Sequence, residues 1–264
     1  MLTSLFGVLF DGFAYGMLLF LLSVGLTVTL INQAGWPFLA TLPVSFVAAA
    51  AISVVFERTM FNRLYRASDL DQCLLTIGLV FVSVAVAALI YSTVQQPVQL
   101  PSYLRGSFQV GGVTLGAYRL FLIVFALVVT AALVIALEYT RFGAQVRAAV
   151  DNQRMARGLG INVDGAFAIT FALGSGLAGL GGSLAIDIVG LDPSFALAFL
   201  VYVLIVVSVG GLGSIGGTFA AAVLLGISDM AGKYYFPEIG SFMIYLVMIS
   251  LLMWRPAGIF GRRV

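Results

Sequence analysis

The chain has 264 residues, 61% of them hydrophobic and 9% charged, where an ordinary soluble domain is about 45 to 50% apolar and about 25% charged. These proportions exclude a soluble globular protein and a disordered chain alike, because so much Leu, Val, Phe and Ala needs a non-aqueous solvent. Thirteen Lys and Arg against eleven Asp and Glu leave a net charge of +2, no electrostatic footprint for nucleic acid, and zero His with Cys73 as the only cysteine excludes disulfide frameworks, Cys/His zinc sites and His-based triads.

The spacing of the charges predicts the elements in chain order. Asp11 and Glu57 are separated by 45 uncharged residues, too many for one crossing of a bilayer core that takes about 20 helical residues. Gly35-Trp36-Pro37 divides the run, since proline lacks an amide donor and disfavours helix in the residue before it, so helices are expected at about 10 to 31 and 38 to 56. The 33 uncharged residues between Asp71 and Arg105 supply a helix at about 73 to 93 before Gln95-Gln96-Pro97 and Pro101 make a polar loop. Uncharged runs of 18 and 22 residues predict single spans at about 119 to 138 and 165 to 186. Gly210 to Gly217 divides the 36 residues between Asp192 and Asp229 into helices at about 195 to 211 and 214 to 231, and 16 more residues supply a last one at about 239 to 254. Continuous apolar runs, without period-two alternation, exclude a β-barrel. The expected fold is therefore all-α: a polytopic transmembrane helical bundle of about eight spans, one domain over 1–264. Met1 to Phe10 carries no Lys or Arg and no small-residue cleavage site follows, so the first helix is expected to stay in the mature protein.

Arginine placement predicts the orientation. Ten basic residues fall in the loops around Arg58 to Arg66 and Arg141 to Arg157 and in the tail from Arg255, against three (Arg105, Arg119 and Lys233) on the other side, which puts those loops and both termini in the cytoplasm. Trp36 beside Pro37 and Trp254 beside Arg255 suit the membrane interface. Asp187, Asp192, Asp229 and Glu238 fall at outer helix ends and Asp11 near the start of the first helix, so no carboxylate is expected at mid-depth, and neither an ion-coupled carrier nor a metal or cofactor site is expected.

Three stretches have a reading beyond topology. The loop at about 139–164 contains an amphipathic helix from Gly143 to Arg157, with Arg147, Asp151 and Arg154 on one face, closed by Gly158-Leu159-Gly160. It suits either a helix lying at the lipid headgroups or one that docks a cytoplasmic partner. The helix at 165–186 is rich in Gly, Ala and Ser, either for close packing or to leave room for a solute pathway. Its Thr170, Ser175 and Gly176, with Ser208, Gly211 and Gly213 further on, are the candidate pathway residues. Gly210 to Gly217 suits a tight turn, or an unwound segment that exposes backbone groups to a solute.

Thr140-Arg141-Phe142-Gly143-Ala144-Gln145-Val146-Arg147-Ala148-Ala149, followed by Asn152, Ala156 and Gly158-Leu159-Gly160-Ile161-Asn162-Val163, closely resembles the cytoplasmic loop of the branched-chain amino acid permeases of bacterial ABC importers. Val209 to Gly217 resembles that family's glycine-rich segment, Arg255-Pro256-Ala257-Gly258-Ile259-Phe260-Gly261 its C-terminal signature, and Glu57-Arg58 is similar too. The resemblance implies a multi-pass permease subunit of the bacterial inner membrane, not an enzyme. Its implied partners are a second homologous permease, two cytoplasmic ATP-binding subunits and a periplasmic solute-binding protein. It makes the Arg147 loop the coupling helix, with Gly143, Arg147, Ala148, Asp151, Asn152, Arg154, Ala156 and Gly160 as its residues. Branched-chain or related amino acids are the implied cargo. Urea or short amides are the alternative, and an ATPase-independent channel or facilitator is the alternative mechanism. The chain departs from the family where Leu30-Ile31-Asn32-Gln33 runs into Ala34-Gly35-Trp36, without the usual Asn-x-x-His-Gly turn, leaving it about one helix short there.

Overall fold

A computed structural model of the protein describes residues 23–31, 35–61, 69–91, 104, 106–110, 113–189, 195–211, 214–255 and 257–260. Helices follow the apolar runs closely. Residues 23–31 form α1, the described part of the helix expected at 10 to 31. Behind it come α2 (Phe38–Phe56), a π-helical turn (Glu57–Phe61), α3 (Asp69–Tyr91), α4 (Ala117–Glu138), α5 (Arg141–Asp151), α6 (Gln153–Gly158), α7 (Val163–Val189), α8 (Phe195–Gly210), α9 (Ile215–Tyr235) and α10 (Gly240–Trp254). Among the described residues, four stretches, Phe38–Thr59, Ala117–Glu138, Val163–Ala185 and Ile215–Tyr235, are long and apolar enough to cross a membrane.

Among the described residues, one departure from an all-helical chain lies in the stretch expected as a polar loop. Strands β1 (Ser107–Val110) and β2 (Val113–Gly116) pair antiparallel with Val110 opposite Val113. Here Ser-Phe-Gln-Val and Val-Thr-Leu-Gly alternate with period two, and Gly111-Gly112 between them is a favoured dipeptide for a two-residue hairpin. The hairpin leads into α4 through a hydrogen bond from the Ala117 amide to the Gly106 carbonyl, 2.8 Å.

The chain divides into two compact units, Met1–Ala126 with Thr140–Ala198, and Leu127–Tyr139 with Phe199–Val264. In the first, the main packing is α2 on α7. At one end of that pair Phe38, Leu42, Leu104 and Tyr118 are buried together, and the Tyr118 hydroxyl donates to the Leu184 carbonyl. Further along, Ala49 is packed by Ile52, Phe56, Leu79 and Phe171. In the second unit, Ile205, Val209, Ala221, Leu225 and Ile244 of α8, α9 and α10 form the core.

Candidate functional site

The loop at 139–164 is built from three side-chain caps. Thr140 Oγ1 accepts the Gly143 amide (3.3 Å) at the start of α5, Asn152 Oδ1 accepts the Met155 amide (3.0 Å) at the start of α6, and Asn162 Oδ1 accepts the Gly165 amide (2.9 Å) at the start of α7. Each such cap is worth about 1 kcal/mol. The single helix expected from Gly143 to Arg157 is therefore two. Asn152 is extended (φ −153°, ψ 94°), and its side chain takes over an amide that a continuous helix would bond within the backbone. Arg147 and Asp151 remain one turn apart on α5, while Arg154 belongs to α6.

Gly160 closes α6 with φ +79°, the Ile161 amide reaching the Ala156 carbonyl and the Gly160 amide the Arg157 carbonyl, both 3.0 Å, which is a Schellman ending. Gly143, Ala149, Ala156 and Val163 are buried, the last three together against Ile161 and Phe167. Ala148 is half-buried, and Arg147, Asp151, Asn152, Arg154 and Gly160 are exposed. Exposed apolar side chains lie among the arginines: Val150 (64%), Met155 (68%) and Leu159 (79%). An exposed ion pair, Arg157 to Asp164 at 2.7 Å, ties α6 to the first turn of α7; such pairs contribute less than about 1 kcal/mol, so this one orients rather than holds.

The small residues of α7 divide by face. Added Cβ atoms at Gly174 or Gly181 would meet nothing, whereas at Gly176 one would meet the Phe46 ring at 2.6 Å and at Gly179 the Ala49 Cβ at 2.7 Å and the Ser45 carbonyl at 3.1 Å. Facing them on α2 is a stripe of period four, Thr41, Ser45, Ala49 and Ser53, continued by Glu57 on the π turn, every member buried. Hydroxyls join the helices across it. Thr27 Oγ1 of α1 lies 2.7 Å from Ser45 Oγ and 2.8 Å from Ser183 Oγ, and Ser23 Oγ donates to the Gly179 carbonyl (2.8 Å). The pathway candidates Ser175 and Gly176 are buried in this unit, and half-buried Thr170 donates to the Ala166 carbonyl of its own helix (2.8 Å). Sequence reasoning did not single out Ser23, Thr27, Ser45, Ser53 and Glu57 as a group, although the four-residue spacing was there to read.

In the second unit the glycine-rich segment and the C-terminal signature meet. The Ile259 amide donates to the Val209 carbonyl (2.8 Å) and the Phe260 amide to the Gly210 carbonyl (3.3 Å), strapping the chain across the end of α8. Gly211 (φ +91°) and Gly258 (φ +83°) face each other so closely that a Cβ on Gly258 would lie 2.5 Å from the Gly211 nitrogen. Ser214 Oγ accepts the Gly217 amide (3.0 Å) and starts α9. Of the pathway candidates here, Ser208 is exposed, Gly211 is buried and Gly213 lies outside the described residues. Near the far end of α9, Lys233 and Asp229 pair at 2.6 Å. Among the described residues no three His, Cys, Asp or Glu gather as a metal site would require.

A family model described as "Branched-chain amino acid transport system / permease component" matches residues 8–252. The chain is 26% identical over 232 residues to the high-affinity branched-chain amino acid transport system permease protein BraD of Pseudomonas aeruginosa, covering 85% of this chain and 75% of that protein. It is 26% identical over 240 residues to the corresponding LivH of Escherichia coli K12, covering 86% and 76%, and 28% identical over 172 residues to LivH of Salmonella typhimurium, covering 62% and 56%. No solved structure matches. The ordered loop, glycine-rich and C-terminal motifs, on an apolar multi-pass helical chain, thus agree with a match that runs through most of its length: the protein belongs to the branched-chain amino acid transport permease family.

Proposed function

We propose that this chain is the membrane permease subunit of an ABC importer for branched-chain or related amino acids, in the bacterial inner membrane, with about eight spans and both termini in the cytoplasm. It works with a second, homologous permease, two cytoplasmic ATP-binding subunits and a periplasmic solute-binding protein. The observation that carries this reading is the loop at 139–164: three caps and a Schellman turn make it rigid, and it turns arginines and bare apolar side chains outward together. A helix that only floated at the headgroups would gain nothing from so many fixed corners. A lever that must deliver a push does. The same stiffness ties it to α7, whose Gly176 and Gly179 seat directly on α2, so displacement of the loop passes into the α2–α7 pair. ATP-driven closure of the ATP-binding subunits then moves α5 and α6, and the bundle changes the membrane face to which it opens. The strap from Arg255 to Phe260 across Val209 and Gly210 supports one membrane face for the tail and the glycine-rich turn, as the arginine count requires.

Co-expression of the chain with its ATP-binding subunits tests the reading. The proposal expects them to co-purify, and to be lost when Val150, Met155 and Leu159 are together replaced by Ser while the permease still inserts. Retention with the triple variant would remove the loop from the docking role.

A further inference from the structure

A cavity of about 250 Å³ opens beside the C-terminal strap, lined by Val209, Leu224, Leu251, Leu252, Trp254 and Ile259, with Arg255 at its rim. We infer that it holds an anionic phospholipid, the acyl chain in the apolar cleft and the phosphate on the Arg255 guanidinium. Three observations carry this. The cleft lies where the apolar run of α10 ends in exposed Trp254 and Arg255, the pair of side chains that suits the boundary between hydrocarbon and headgroups. Its walls are aliphatic apart from the Trp254 indole, and in lipid such a cleft is filled by acyl chain rather than water. Finally, Arg255 is already oriented: Nη1 donates to the Ile259 carbonyl (3.1 Å), which fixes the plane of the guanidinium and leaves its other N–H groups to a phosphate. A lipid seated there would brace the strap that closes the glycine-rich turn between α8 and α9.

The test uses the full chain in nanodiscs of phosphatidylcholine with phosphatidylglycerol, counting the lipids that survive detergent extraction by native mass spectrometry. Wild type should retain phosphatidylglycerol over phosphatidylcholine about fivefold, the preference that about 1 kcal/mol per arginine near a charged surface gives. Arg255→Gln removes the charge and should abolish the preference. Leu224→Trp, on the exposed face of α9, should fill the cleft and lower retention of both lipids. Unchanged preference in Arg255→Gln, or unchanged retention in Leu224→Trp, overturns the assignment. Release of phosphatidylglycerol by millimolar inorganic phosphate would overturn it too, showing an anion site instead.

Discussion

Gly179 and Gly258 exclude a side chain for different reasons. At Gly179 the obstacle is the partner helix: an alanine Cβ would press on the Ala49 Cβ and the Ser45 carbonyl, neither of which is the end of a flexible side chain. Gly179→Ala should therefore cost about 1 to 3 kcal/mol by overpacking, whereas Gly174→Ala, with open space, should cost almost nothing. Gly176→Ala falls between them, because the Phe46 ring can turn aside. Thermal unfolding in detergent orders the three variants, and equal losses at Gly174 and Gly179 would contradict the account. At Gly258 the obstacle is backbone on two counts, φ +83° and the Gly211 nitrogen, so Gly258→Ala should undo the bonds from Ile259 and Phe260 to α8. Faster proteolysis after residue 255, without loss of membrane insertion, is the expected readout. The abundance of glycine was plain in the sequence, but not which glycines touch. Composition marks the helix as thin; only the pairing of α2 with α7 distinguishes Gly179 from Gly174.

Helices were the most legible elements, because charge gaps and prolines mark where an apolar run must leave the bilayer; α2, α4, α8 and α10 begin and end close to the expected positions. The hairpin at 107–116 and the break at Asn152 were not anticipated, for related reasons. Both are short-range features, where the length of an apolar run says nothing and a side-chain cap or a few alternating residues decide the backbone. The break bears on the docking role proposed for the loop, since the extended backbone of Asn152 (φ −153°, ψ 94°) keeps α5 and α6 from running as one helix. Asn152→Ala removes the cap, at a cost of about 1 kcal/mol, and leaves α5 and α6 free to merge. ATP hydrolysis should then continue while uptake falls, because the subunits dock on a lever of altered shape. Arg147→Glu reverses a charge on the outward face of α5 and should instead weaken docking itself, lowering both activities together. If both variants hydrolyse ATP and take up amino acid as wild type does, neither feature belongs to the coupling surface.

Across the molecule, a stiff loop, a tight α2–α7 contact and a strapped C-terminal turn suit a protein moved by others rather than one that performs chemistry itself. The hydroxyls between α1, α2 and α7 fit this view. Interhelical hydrogen bonds in lipid average about 0.6 kcal/mol each, enough to fix a register and little enough to exchange when helices slide. Thr27→Val, which removes the hydroxyl shared by Ser45 and Ser183, should lower stability by about 1 kcal/mol and leave the loop unaffected. The most direct test of the whole account is uptake of radiolabelled leucine into proteoliposomes holding the chain with its partner permease and ATP-binding subunits, in the presence of the solute-binding protein. Uptake should require ATP and the ATP-binding subunits, and should fall with Arg147→Glu. Leucine entry through the permeases alone, at the same rate with or without ATP, would contradict it.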